Sequence, residues 1–414
     1  MSVLKKITLD LTPLRASRPF RLVFAARLAS LFGIGLLMVA VPVQVYAITG
    51  SALHLGAVAT TAGACVFAGS LAGGLLADRY DRRRVILAAR TAAGIGFVLL
   101  AANALLPDPP LWPIYALAAW DGLAGGISST TLTALLPTLV GREHLPATGA
   151  LLSLTADLSA MVSPALGGVL IATWGVAANY GAAAAATALT AFSISRLPSY
   201  PAPGTGREPP LRAMAAGLTF AARHRTVRSV LVAGVATMLL SGPVVLLPAL
   251  VKTHLGGGET VLGLLYSAPA IGAVAGSLTS GWIGAARRPG LALLASLLVM
   301  GLAVLATGLS PVPLLAFLAL TGYGAGRVLT DILRFTLLQR HTPDEIRGRV
   351  ASLWQAQVVA AAAAGSLVAG VLAETFSPAT ALIVYGAGAG ATVLVLAALL
   401  PALREPDSQP TPTS

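Results

Sequence analysis

Six ionisable side chains stand where the surrounding sequence is almost wholly apolar. They are Arg27 in AARLAS, Asp121 in AAWDGLAGG, Asp157 in LTADLSA, and Arg327, Asp331 and Arg334 in GRVLTDILRF. An ionisable group at mid-membrane costs about 2.5–3.5 kcal/mol on insertion scales, so its presence there implies a task. Burial raises the pKa of a carboxyl toward the working range of a proton carrier, which makes Asp121, Asp157 and Asp331 candidates for proton coupling. Asp121 lies about nine residues and Asp157 about ten residues into their apolar stretches, near mid-depth for a helix. A structural hydrogen bond at the WDG corner is the other reading of Asp121. Arg327, Asp331 and Arg334 are spaced by four and three residues and share one helical face. That face reads either as an internal salt-bridged strip with Arg334 snorkelling to the surface, or as a place where Arg327 attracts an anionic substrate. Arg27 either meets substrate or reaches the cytoplasmic interface. Tyr46, Trp120, Tyr266, Tyr323 and Trp354 could stack on a ring-bearing cargo, although Trp and Tyr also gather at membrane interfaces.

The elements that must position these residues follow from composition. The 414 residues are 56% hydrophobic and only 10% charged, against about 25% charged for soluble domains. Lipid is therefore the solvent for most of the chain. Twelve stretches can each cross a bilayer as helices of about 20 residues: 20–47, 54–77, 85–106, 112–139, 147–172, 175–197, 227–251, 260–284, 290–309, 312–338, 349–373 and 379–403. The net charge of +12 would suit a nucleic-acid binder, but the basic residues recur in short clusters on alternate loops. With both termini inside, those loops collect the arginines and the outer loops keep only Lys252, so the charge is a topology signal and no nucleic-acid partner is expected. The N-terminus lacks the short apolar core and cleavage site of a signal peptide. The single cysteine, Cys65, lies in an apolar run and reads as a packing residue.

The longest polar interruption, 198–228, begins rich in Pro and Gly and continues as LRAMAAGLTFAARHR, the pattern of a helix lying on the inner membrane surface. The expected organisation is a cytoplasmic N-terminus (1–19), a six-helix bundle (20–197), a linker with an amphipathic helix (198–226), a second six-helix bundle (227–403) and a cytoplasmic tail (404–414). The halves echo each other: VPVQVYAI is matched by LPALVKTH, and LVGREHLPATGALLS by HTPDEIRGRVASLW. Duplicated halves are how many secondary transporters build a central site.

Between the second and third stretches the chain reads GGLLADRYDRRRVILAAR, with seven charged residues in one knot. Gly74, Leu76, Asp78, Arg79, Arg82 and Arg83 resemble the loop signature of the major facilitator superfamily, in which the acid and arginines latch one conformation. Asp81 stands where that signature has glycine. In the fifth stretch, Ser163, Pro164, Gly167 and Gly168 resemble the motif of the superfamily's antiporters, where Pro bends the helix and glycines allow close packing. Longer runs, including PFRLVFAARLASLFGIGLLMVAVPVQVY and LLQRHTPDEIRGRVASLW, are similar to the enterobactin-exporter subfamily of bacterial inner-membrane siderophore efflux proteins.

The resemblance implies an all-α integral membrane protein with twelve transmembrane helices in two pseudo-symmetric six-helix bundles. It implies proton-coupled export of enterobactin or a related catecholate siderophore across the inner membrane. A broad multidrug:proton antiporter is the alternative, and SPALGG disfavours an uptake symporter. The expected partners are the bilayer, the siderophore, protons and outer-membrane efflux components, with the protein itself a monomer. No cofactor or metal is expected, and no enzymatic activity. The chain carries no phosphate loop of the G-x-x-x-x-G-K-[ST] type, no H-E-x-x-H and no G-x-S-x-G.

Overall fold

The computed structural model describes residue 14 and residues 17–140, 145–201, 218–240 and 242–405. The helices are α1 Arg18–Thr49, α2 Ala52–Arg79, α3 Arg82–Ala104 and α4 Trp112–Leu139. The long stretch Leu145–Ser195 is interrupted at Gly175, whose φ of 82° and ψ of 173° cannot continue a helix. It therefore forms two helices, α5 (145–174) and α6 (176–195). The second half holds α7 Arg225–Leu239, α8 Gly258–Leu278, α9 Pro289–Leu309, α10 Pro313–Arg340, α11 Asp344–Thr375 and α12 Pro378–Leu399. After α7 the chain continues through a 3-10 turn, a single α turn and a π turn to Leu255. Pro243 and Pro248 withhold the amide hydrogens an unbroken helix would need there.

Nine stretches among the described residues are long and apolar enough to cross a membrane. One of them is the α5–α6 stretch counted once, while α4 and α10 carry the charged and small polar residues that lower their hydropathy. Those two differences separate nine from the expected twelve. Pro in the first turn sets the start of α4, α9, α10 and α12. The amphipathic stretch expected from residue 211 lies outside the described residues as far as 217, and 218–223 are helical. The expected N-terminal segment lies outside them up to residue 13, and the tail from residue 406.

The chain divides into two compact units, Met1–Gln44 with Ala64–Arg207, and Val45–Gly63 with Glu208–Ser414. In the first unit Phe20, Val23, Ile86, Leu135, Leu151 and Ile194 form a buried apolar cluster that gathers α1, α3, α4, α5 and α6. In the second unit α10 packs against α8 and α9, α9 against α12, and α11 against α7 and the 3-10 turn. Residues 45–63 belong to that unit because they lie along α11. The Ser51 hydroxyl donates to Glu374 at 2.9 Å, and the Thr60 hydroxyl donates to the Ala363 carbonyl at 2.8 Å.

Candidate functional site

In the first unit, helix periodicity carries three charges onto one interior. Arg27 lies on α1, Arg90 on the third turn of α3, and Asp121 on α4, all half-buried. The Asp121 carboxylate interacts with the Arg90 guanidinium, and Arg90 feels the like charge of Arg27. The Nε of Arg27 is buried without a hydrogen-bond partner. With Arg90 coupled both to Asp121 and to Arg27, the cluster carries a net positive charge, suited to an anion and sensitive to the proton on Asp121. In the sequence Arg90 stands in the charged knot with the loop arginines. Its place eight residues beyond the start of α3, at Arg82, was the signal that it sits inside the bundle. Trp120 is half exposed, and its indole N–H donates to the Ala92 carbonyl of α3 at 2.7 Å. It lines a groove of about 560 Å³ whose lining also includes Tyr80, Asp81 and Arg84.

A second polar network was not anticipated. The amide of Gln44 on α1 donates to Asn103 of α3 at 2.9 Å, and the hydroxyl of Tyr180 on α6 donates to Gln44 at 2.8 Å. All three residues are buried. Each finds partners there, which is the condition for tolerating polar groups in a dry interior.

The charged knot is an anchor built by α2, α3, α4 and α6. Arg82 is buried and donates to the Ala134 carbonyl at 2.9 Å and to Ala77 at 3.5 Å. Arg83 donates to the Ser195 carbonyl. Asp78 is half-buried on the last turn of α2, and Arg79 is exposed. Asp81 caps α3 by accepting the Arg84 amide at 2.9 Å, and it also accepts the Ser199 hydroxyl and the Tyr200 amide. Burial pushes its carboxyl up, but these donors and the charge of Arg84 outweigh that and hold it below the ordinary carboxylate value. With φ of −57°, position 81 does not need the glycine of the superfamily signature. The close helix approach falls on Gly73, where a Cβ would stand 2.8 Å from Ile127 of α4, while Gly74 has ordinary space with Thr130 at 4.0 Å. The spacing of Gly69 and Gly73 is the small-xxx-small pattern that marks such a seam.

On α5, Ser163 is completely buried against Gly35 of α1, and Pro164 and Gly168 are buried beside it. Gly167 gives its carbonyl to the Asn179 amide at 3.0 Å. Asp157, further back on the same helix, is exposed. The burial expected of it is absent, because its side of α5 also carries the exposed Leu154 and Leu158.

In the second unit Arg327 is exposed on α10 and Asp331 is half-buried. Arg334 overturns the expectation that it snorkels, since it is 0% exposed and packs inward against α7 and α11. Its Nη1 lies 3.9 Å from Asp331, Nη2 donates to Gln357 at 2.9 Å, and the guanidinium stands 5.9 Å from the Trp354 ring. Tyr46 lies 5.5 Å from the Lys252 ammonium. Tyr266 and Tyr323 are buried, Tyr323 beside Pro243, Leu320 and Leu382.

An all-helical chain of long apolar helices with charges held in their interiors has the fold of a membrane transporter. Solved structures share it: a POT family transporter in complex with 5-aminolevulinic acid, with a TM-score of 0.76 and 13% identity, covering 94% of this chain and 97% of that one. The nucleoside transporter NupG matches with a TM-score of 0.76 and 12% identity, covering 92% and 98%. At that identity they establish the fold alone. The chain belongs to the transmembrane secretion effector family of the major facilitator superfamily, whose model matches residues 8–413. It is 42% identical over 397 residues to the enterobactin exporter EntS of Citrobacter koseri, covering 96% of this chain and 95% of that protein. It is 40% identical over 392 residues to EntS of Escherichia coli O81, covering 95% and 93%. The protein is thus a multi-pass membrane transporter, not an enzyme.

Proposed function

We propose that this protein exports enterobactin, or a related catecholate siderophore, from the cytoplasm across the inner membrane, driven by protons moving the other way. The observation that carries this reading is the 42% identity, along almost the whole of both chains, to a protein named for that export. The charge cluster of the first unit supports it physically. A catecholate cargo is anionic once deprotonated, and Arg27 and Arg90 supply cations in a cluster where Arg90 is coupled to a carboxylate, Asp121, that can take up a proton. Alternating access then comes from rocking of residues 20–197 against 227–403, with both termini and the linker cytoplasmic. The loop that Arg82 and Arg83 anchor carries Gly74, Asp78 and Arg79, and these five residues together latch one conformation, while the SPALGG bend of α5 favours exchange over uptake. The protein works as a monomer and hands its cargo toward outer-membrane components.

The test is siderophore movement in proteoliposomes under an imposed pH gradient, with and without Asp121→Asn. Uphill movement by the parent and its collapse to passive leak in the variant are expected. Unchanged gradient-driven movement in Asp121→Asn would remove Asp121 from the mechanism. Loss of the gene should trap siderophore in cells; sensitivity to unrelated drugs without trapping would favour a multidrug antiporter.

A further inference from the structure

Among the described residues Arg334 is the largest side chain to be completely buried, and its nitrogens are unequally served. Nη2 donates to Gln357 Oε1 at 2.9 Å, while Nε and Nη1 find no acceptor. Asp331 Oδ1 stands 3.9 Å from Nη1 and is itself without a hydrogen bond. A guanidinium and a carboxylate close to about 2.7–2.9 Å, and that bond is roughly twice as strong as one to a neutral amide. In this structure the guanidinium rests on Gln357, and the half-buried carboxyl of Asp331 stands one short movement away.

The other seat for the cation is built with care. Gln357 Nε2 donates to the Leu231 carbonyl of α7, so Oε1 is the atom left to face Arg334. Gly234, three residues along α7, makes the room, since a Cβ there would overlap Nη2. The charged groups acting on Asp331 are Arg327 and Arg334, both of α10. Among the described residues, the groups that the packed neighbours present around this site are neutral: Gly234 from α7, Trp354 and Gln357 from α11, Met300 beside Thr330 from α9, and Gly276 beside Val328 from α8.

We propose that Arg334 is a positioning residue with two seats, Gln357 while Asp331 carries a proton and Asp331 once that proton has left. The inference deepens the proton-coupled reading above and rests on it. In the step, the O–H bond of Asp331 breaks, the proton passes to water at the exposed flank of the side chain, and the freed electron pair accepts the Nη1–H of Arg334. The pair goes from one net positive charge to none, and about 1 Å of movement closes the gap. Release of the proton thereby withdraws the cation from α11 and draws it onto α10.

The experiment uses the full-length protein in liposomes and follows the protonated-carboxyl C=O stretch by infrared difference spectroscopy across pH, which needs no cargo. Asp331→Asn should remove one titrating band and so assign it. In Gln357→Leu the cation has only the carboxylate to turn to, and the midpoint of that band should fall by about 1–3 pH units. In Gln357→Glu a second carboxylate keeps Arg334 on α11, and the midpoint should rise. A Gln357 that only supports packing would lower thermal stability in both variants without moving the midpoints in opposite directions. If Gln357→Leu does not fold, Gln357→Met takes its place. Unmoved midpoints, or a band that survives Asp331→Asn, would overturn the switch. Opposite shifts in a protein that moves no siderophore would sustain the switch and overturn the export reading instead.

Discussion

Arg82 and Arg334 are both buried arginines, one in each compact unit, and they are buried in opposite ways. The guanidinium of Arg82 is spent on backbone carbonyls, Ala77 of its neighbouring turn and Ala134 of α4, and its own amide donates to Tyr200. Its acceptors are backbone carbonyls of packed helices, so the charge acts as a rivet. Arg334 has one neutral acceptor, a carboxylate just out of reach and two unserved nitrogens. A buried ion that is fully hydrogen-bonded contributes to one structure, whereas one left half-served has a second place to go. The contrast separates an arginine that holds the fold from one that can move within it.

The sharpest way to break this comparison is Gly234→Val, which fills the space beside Nη2 and evicts Arg334 from its seat on Gln357. Stability should drop by about 3–5 kcal/mol, the cost of disrupting a buried charged network, and the carboxyl titration should shift with it. Thermal unfolding and infrared titration of one preparation check both. Arg82→Met comes next. It leaves two carbonyls without their donor and should cost about 2–3 kcal/mol in unfolding, yet leave the pH midpoint of transport where it was. A moved midpoint would dissolve the distinction between the two arginines.

Smaller effects test the surroundings of the rivet. Gly73→Ala should cost about 1–2 kcal/mol, because the α2–α4 seam must open against backbone, while Gly74→Ala should stay within about 0.5 kcal/mol. Melting temperatures of the two variants in the same detergent decide it. A comparably small effect belongs to Asp81. Its carboxyl is held below the ordinary carboxylate value by Ser199, Arg84 and Tyr200, against the pull of burial. The folded protein therefore binds that proton less readily than the unfolded chain. The clamp's contribution is complete above the ordinary value and is lost as pH falls through the lowered one. Melting curves of Asp81→Asn across acid pH should lose that part of the dependence and change by less than about 1 kcal/mol at neutral pH.

How far the site was legible follows from where its partners lie in the chain. Asp121 and Asp331 stood out because a carboxylate in an apolar run is anomalous within its own twenty residues. Arg90 was hidden by its neighbours: three loop arginines precede it, and only the helical rise from Arg82 carries it inward. Gln357 and Gly234 carry no anomaly of their own, since each becomes meaningful only through Arg334. Asp81 looked like a departure from a glycine signature, and its acceptance of Ser199 and Tyr200 more than a hundred residues away gave that departure a purpose.

The sequence by itself determined that lipid surrounds this protein, that its helices are long and apolar, and which charges must be accounted for inside them. Hydropathy and helical period act over one or two turns, and every residue needed to see them is adjacent. Only the tertiary structure decided which of those charges are anchored and which are poised, because hydrogen bonds such as Gln357 to Leu231 and Arg82 to Ala134 join atoms that the chain keeps far apart until the helices pack.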